Sequence, residues 1–177
     1  IFRLPTFNDL YYAQIGFSQL KPEFTDQCNI GGSYQKAFKS GWIDQVSVQA
    51  DAYYAAITDK IIAAPTGSSF RWMMTNMGKV ESKGVDVSAA VSGHAGPVKL
   101  HTNLTYSFTK AQDFTKINGK KLSSYSNQIP YTPWHSGSVI AGAEYDTWTL
   151  NYSFIYVGER YNGSVNNIPR NYVEPWY

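Results

Sequence analysis

The feature that most constrains this chain is an alternation of apolar and polar residues with period two, sustained over segments longer than ordinary strands. Successive side chains of a strand point to opposite faces, so such segments are strands with two chemically different sides. From Glu23 to Ala37, Cys28, Ile30, Gly32 and Tyr34 alternate with Gln27, Asn29, Gly31, Ser33 and Gln35. Between Gln45 and Ala56, Val46, Val48, Ala50, Ala52 and Tyr54 oppose Gln45, Ser47, Gln49 and Asp51. Val85, Val87, Ala89 and Val91 alternate with Gly84, Asp86 and Ser88. Val98, Leu100, Leu104, Tyr106 and Phe108 oppose Lys99, His101, Asn103, Thr105, Ser107 and Thr109, the clearest case. Val139, Ala141, Ala143 and Tyr145, then Trp148, Leu150, Tyr152, Phe154 and Tyr156, follow the same rule, which Ile140, Ile155 and Val157 break.

The connections alternate between short and long. Lys39 to Ile43, Ser92 to Pro97 and Tyr145 to Trp148 read as tight turns rich in Gly or Asp. Thr58 to Phe70, Lys110 to Trp134 and Tyr161 to Glu174 read as long loops. Compact soluble hairpin proteins seldom carry loops of that length, whereas outer-membrane barrels combine short turns at one end with long loops at the other. The expected architecture is all-β, an antiparallel meander of six to seven long strands, with no helix-period stretch and no domain boundary.

A half-buried sheet of a soluble sandwich shows the same alternation. Three details favour lipid. The expected strands run about 11 to 16 residues, against about 5 or 6 in sandwiches. The apolar face is small at mid-strand (Ala50, Ala52, Gly137, Ala141, Ala143), which fills a core poorly but is tolerated by acyl chains. The aromatics fall in two groups, Tyr34, Tyr145 and Trp148 near the tight turns and Tyr54, Tyr106, Phe108 and Tyr156 near the other end, as membrane girdles do.

Composition agrees. Charged residues are 16% of the chain and aromatics another 16%, so part of the surface is expected to face something other than water. A net charge of +2, scattered along the chain, speaks against a nucleic-acid partner. Cys28 is the single cysteine, which excludes an internal disulfide. No apolar run reaches the roughly 18 residues of a spanning helix, so any membrane crossing is by strands. His94, His101 and His135 lie far apart without acidic or thiol neighbours at ligand spacing, and no nucleophile motif stands out. The expectation is a chain that is not an enzyme and has no metal and no cofactor.

Loops on a rigid barrel are the usual place for ligand contacts. Aromatic faces beside amides can stack on a ring system and bond its rim. The candidates are Tyr125, Gln128, Tyr131 and Trp134 in the Lys110 to Trp134 connection, with Arg160 either paired with acids across the lumen or meeting an anionic chelate. Arg3 is expected to pair with acids or meet an anionic chelate. A plainer role for Tyr131 and Trp134 is to anchor the loop base in the girdle.

Several stretches then carry a family resemblance. Phe2 to Tyr12, Leu20 to Phe24 (LKPEF) and Asn29 to Tyr34 (NIGGSY), in this order, resemble the late barrel of TonB-dependent outer-membrane receptors. Asn76-Met-Gly-Lys-Val with Gly84-Val-Asp-Val, Ile129 to Ser136 (IPYTPWHS) and Tyr156 to Tyr161 (YVGERY) resemble later strands of that barrel. The resemblance implies a 22-stranded transmembrane barrel. At about 22 residues per strand with its connection, residues 1–177 supply six or seven strands of a partial barrel domain. A plug domain and the remaining strands are absent, with cuts expected before Arg3-Leu-Pro-Thr and after Pro175-Trp-Tyr. It further implies a bacterial outer-membrane location, contact with outer-membrane lipid, and a TonB energy-transducing complex reached through the missing plug. The cargo would be a scarce large nutrient: an iron chelate, cobalamin, haem or an oligosaccharide. A soluble β-sandwich that binds carbohydrate is the alternative.

Overall fold

The structure, a computed structural model, describes residues 1–65, 72–117, 119–121, 125–161 and 172–173. In chain order the elements are β1 (Phe2–Arg3), α1 (Phe7–Tyr11), β2 (Glu23–Ala37), β3 (Ile43–Pro65), β4 (Trp72–Ala95) and β5 (Val98–Asp113). There follow β6 (Lys116–Ile117), β7 (Lys120–Lys121), β8 (His135–Tyr145), β9 (Trp148–Val157), β10 (Arg160–Tyr161) and β11 (Tyr172–Val173). One sheet takes seven of the strands in the order β1-β2-β3-β4-β5-β8-β9, and every pairing in it is antiparallel. This is the expected meander, six long strands and one short one.

The register is what converts alternation into two surfaces, because a slip of one residue would exchange the faces. Reading across from β2 to β9, Tyr34, Val48, Ala89, Leu104, Val139 and Phe154 form one continuous row. The adjacent row on the same face is Gly32, Ala50, Val87, Tyr106, Gly137 and Tyr156. Nothing among the described residues stacks a second sheet on this face. Leu104 and Phe154 remain 43% and 38% exposed, and Val46 and Ala141 share their face instead of being enclosed between two sheets. The sandwich expectation is thereby set aside.

Three hairpin turns lie at one end. Ala95 pairs with Val98 across Gly96-Pro97, where Gly96 has φ +60° and so suits a two-residue turn. Tyr145 pairs with Trp148 across Asp146-Thr147, with Asp146 at φ +51°. At the third, a bulge between Ile43 and Gln45 frees Asp44 to meet His94 Nδ1 at 2.8 Å.

The other end departs from the sequence expectation in two ways. The Thr58 to Phe70 loop is largely strand: β3 continues through Pro65 and stays paired with β4 down to Trp72, while residues 66–71 lie outside the described part. Alternation fails there because Ile57, Ile61 and Ile62 do not keep the period and Asp59 takes φ +53°. The strands are accordingly longer than expected, 23 residues in β3 and 24 in β4. The five-residue α1 was also not anticipated, being too short to show a helical period. It is held by a capping box, with Asp9 N donating to Thr6 Oγ1 at 3.2 Å and Thr6 N donating to Asp9 Oδ2 at 2.9 Å.

A small core sits at this end. Ala55, Ile57, Met77, Val80, Ala111 and Ile129 bury one another, with Ile62 packed alongside and Val80 fully enclosed. Ile129 belongs to the β7–β8 connection, so the core ties that loop to the sheet.

Candidate functional site

The polar face is built by the same register. Ser33, Gln49, Ser88, Thr105 and Ser138 make one row, Gly31, Asp51, Asp86, Ser107 and Ser136 the next. Thr105 and Ser138 share a hydroxyl hydrogen bond of 2.7 Å, and Gln49 Nε2 donates to Asp51 Oδ2 at 2.8 Å. A shallow cleft of about 300 Å³ lies over Gln49, Asp51, Asp86, Ser88, Thr105 and Ser107. Hydroxyls, amides and two opposed carboxylates suit a hydrated surface, since such groups are costly to bury unpaired. Sequence alternation marks these residues as one face but says nothing of Asp51 standing opposite Asp86. Ile140, Ile155 and Val157, the breaks in the pattern, fall on this face beside Ser138, Ser136 and Ser153 and make an apolar patch near β9.

The loop candidates separate into three places. Gln128 is buried, with its amide spent on backbone. Its Oε1 accepts from Ala111 N at 2.9 Å, and Nε2 donates to the carbonyls of Thr109 (3.0 Å) and Thr132 (3.2 Å). It is a clamp holding the loop base to β5, with the further bonds of Asp113 N to Asn127 O and Ile129 N to Ala111 O.

Tyr131 and Arg160 come together. Tyr131, at φ +59°, donates its N–H to Tyr161 O at 2.8 Å, and its ring lies 5.3 Å from that of Trp72. Arg160 begins β10, and its Nη1 is buried with no hydrogen-bond partner among the described residues. Tyr125 and Trp134 lie instead with residues of the apolar face. The Trp134 ring is 6.5 Å from that of Phe108 and sits under the Lys110 ammonium at 6.0 Å. Tyr125 meets Phe114 edge-on at 5.3 Å and lines a cleft with Lys79 and Glu81.

Arg3, open between acids and a chelate in the sequence, is paired: Nη2 lies 3.0 Å from Asp9 Oδ2 and Nη1 3.7 Å from Glu23 Oε2. Asn76 is a positioning residue that sequence reading missed. Its amide brackets Lys21, accepting from Lys21 N at 2.8 Å and donating to Lys21 O at 3.1 Å, and it also donates to Asp59 O at 2.7 Å. Partners so far apart in sequence leave no local signal.

The aromatics expected in girdles all fall on the apolar face. Tyr145 and Trp148 pair at the turn end, and Tyr34 sits on β2 opposite Val48. Tyr106 and Tyr156 share a row through Gly137, Phe108 is one row further with Val85, and Tyr54 one beyond that with Lys83. Apart from Phe108, which packs against the rings of Trp134 and His135, these residues remain 36% to 78% exposed, Trp148 the most. His135 joins the far group, its Nδ1 2.8 Å from Tyr106 Oη.

Comparison with known proteins is consistent with this geometry. Residues 1–177 match the family model described as TonB dependent receptor-like, beta-barrel. The chain is 29% identical over 168 residues to the vitamin B12 transporter BtuB of Photobacterium profundum, an alignment covering 93% of this chain and 24% of that protein. It is 32% identical over 88 residues to the BtuB of Vibrio vulnificus, covering 50% of this chain and 13% of that protein. The chain thus spans about a quarter of the length of the longer-matching relative. With its two-faced antiparallel meander, it belongs to the TonB-dependent receptor β-barrel family.

Proposed function

We propose that this chain is part of the wall of an outer-membrane active-transport receptor that captures and imports a scarce large nutrient, and that it is not an enzyme. The observation that carries this is the unbroken apolar row from Tyr34 to Phe154, backed by a polar row from Ser33 to Ser138. From Val98 to Phe108 the apolar face of β5 runs about 34 Å along the strand. At a tilt of about 40° that is roughly 26 Å, close to the apolar band of outer-membrane barrels. The apolar face meets outer-membrane lipid, and the polar face lines the lumen of a closed barrel of 22 strands. The tight turns face the periplasm and the long connections the outside. A plug domain in that lumen couples the receptor to TonB.

Cobalamin is the favoured cargo, because both relatives named above are vitamin B12 transporters. An iron chelate, haem or oligosaccharide is the competing class. Tyr131 and Arg160 are the contacts proposed here. Arg160 offers a buried, unbonded guanidinium nitrogen to an anionic group such as a phosphate, and the Tyr131 ring offers a stacking face. Gln128 acts through the loop it clamps, and Tyr125 and Trp134 lie on the lipid side of the wall.

The test is equilibrium binding of cyanocobalamin to the full-length receptor, with uptake measured in cells with and without TonB. Saturable binding and TonB-dependent uptake, both weakened by Arg160→Gln and Tyr131→Ala, are expected. Binding of a ferric chelate in place of cyanocobalamin would move the cargo assignment, and TonB-independent uptake would overturn active transport.

A further inference from the structure

The polar face is not uniform from one strand to the next. Over β3, β4 and β5 it holds two contiguous clefts. One, of about 420 Å³, lies between the row of Gln49, Ser88 and Thr105 and the row of Ser47, Ala90 and Asn103. The cleft of about 300 Å³ described above starts at the first of these rows and continues toward Asp51, Asp86 and Ser107. Gln49, Ser88 and Thr105 line both, so together they form one trough that runs about 14 Å along the strands. Its polar groups are available. Among the described residues, the side chains of Ser88 and Asn103 are spent on no hydrogen bond within the protein.

On β8 and β9 the same face changes character. Ile140 stands in the row of Asn103 and Ser153, and Ile155 and Val157 stand opposite Ser138 and Ser136. Ile140 and Ile155 are 43% and 55% exposed. Aliphatic groups held against water are unfavourable in proportion to their area, whereas hydroxyls and amides are well solvated by it. Inside a closed barrel only the cargo or another part of the receptor can cover this patch. The chain spans 24% of the longer-matching relative, so a receptor of that length has chain enough to fill the lumen. A wall that conducts must bind weakly and at many sites, so that whatever enters can leave. The trough meets that condition and the apolar patch does not.

We propose that the plug domain keeps a standing seat on Ile140, Ile155 and Val157, and that the passage for the cargo opens in the other sector, along the trough over β3, β4 and β5. The trough suits a cargo rimmed with amides and hydroxyls, which exchange one weak bond for the next as it moves. Asp51 and Asp86, opposed at its outer end, disfavour a polyanion. The proposal rests on the reading of the polar face as the lumen, given above.

The test uses the full-length receptor in cells, on a Cys28→Ser background, with Ser88→Cys, Asn103→Cys or Ile155→Cys introduced singly. A water-soluble thiol reagent is added at rest and during cyanocobalamin uptake, with and without TonB. Labelling of Ser88→Cys and Asn103→Cys is expected to rise about tenfold when uptake is energised, as a covered wall opens. Without TonB it stays at the resting rate. Ile155→Cys is expected to keep its low resting rate throughout, and Ile140→Cys stands in should that variant fail to fold. Heat-modifiable gel migration checks that each variant closes its barrel. Equal acceleration in both sectors, acceleration at Ile155→Cys alone, or none in the trough during measured uptake would overturn the proposal. A photoreactive phenylalanine analogue in place of Ile155, activated in the resting receptor without cargo, tests the seat directly. It is expected to link to plug peptides identified by mass spectrometry, and a link to barrel peptides alone would overturn the seat. Failure of the wild type to take up cyanocobalamin, with that link intact, would count against the cargo alone.

Discussion

The phenol of Tyr53 passes over Gly84 and reaches the hydroxyl of Thr109 two strands away, at 3.0 Å. A Cβ at position 84 would collide with the Tyr53 ring and with the Phe108 carbonyl, so the glycine is what lets the ring lie flat across the polar face. Aromatic cover of a strand glycine offsets the packing that the missing side chain forfeits. Gly84→Val is expected to lift the ring, break the bond and lower the barrel's heat-dissociation temperature. Tyr53→Phe removes only the hydrogen bond, about 1 kcal/mol, and has the smaller effect. Gel migration after stepwise heating measures both.

Gln128→Leu tests the loop clamp. The substitution keeps apolar volume but leaves the buried Ala111 N–H without its acceptor, as well as freeing two carbonyls. An unsatisfied buried group costs about 1–3 kcal/mol, so the Ala111 amide should exchange at least about fivefold faster. An unchanged exchange rate would show that the loop is held by its other bonds.

Val80→Ala probes the small core at the long-loop end. Val80 is fully buried among Ile57, Met77 and Ala111, and losing two methyl groups there costs about 2 kcal/mol including the cavity. The loss should show as faster exchange of amides in β4 and β5 near residue 80, with the turn end of the same strands unaffected.

Leu104 and Asn103 are neighbours in sequence and face opposite ways. Leu104 lies mid-row on the apolar face, whereas Asn103 pairs with Ile140 on the polar one. Lysine at a lipid-facing midplane site costs about 2–4 kcal/mol. Leu104→Lys is therefore expected to cut the yield of folded receptor sharply and Asn103→Lys to leave it near wild type. The reverse order would invert the faces.

Asp9 gives a pH dependence with a definite sign. Its carboxyl is held below the ordinary carboxylate value, chiefly by the hydrogen bond from the Thr6 backbone, with the Thr6 hydroxyl and the Arg3 charge adding to it against partial desolvation. A depressed carboxylate stabilises the fold fully above its unfolded pKa, about 3.9, and loses that contribution as pH falls through the lower folded value. The Thr6–Asp9 cap is thus expected to persist down to about pH 4 and to open below it. Amide shifts of Leu10 and Tyr12 followed by NMR report the opening, and Asp9→Asn should remove the transition.

Much of the sheet was legible because alternation is a local signal. Val98 to Thr109 or Val139 to Tyr156 needs no distant partner to announce its two faces. The register was not legible: residues 83 and 110 lie on different strands, and only the hairpin at Gly96-Pro97 sets which lysine meets which. The site suffered more than the fold. Gln128 and Tyr125 share one connection, yet one turns into the core and the other toward residues of the apolar face. That choice depends on where Ile129 docks, which pairs a loop with residues of β3, β4 and β5. The extended ends of β3 and β4 escaped notice for a related reason, since Ile57, Ile61 and Ile62 break the period where the ribbon carries the small core and Asp59 takes a positive φ.

That ribbon bears on capture. From Tyr54 to Pro65, β3 advances about 36 Å beyond the aromatic rows, laddered to its partner strand. On the proposed transport reading, a cargo arriving at this rim would meet a stiff palisade, not a wandering tether, and so little motional freedom would be surrendered when it lodges.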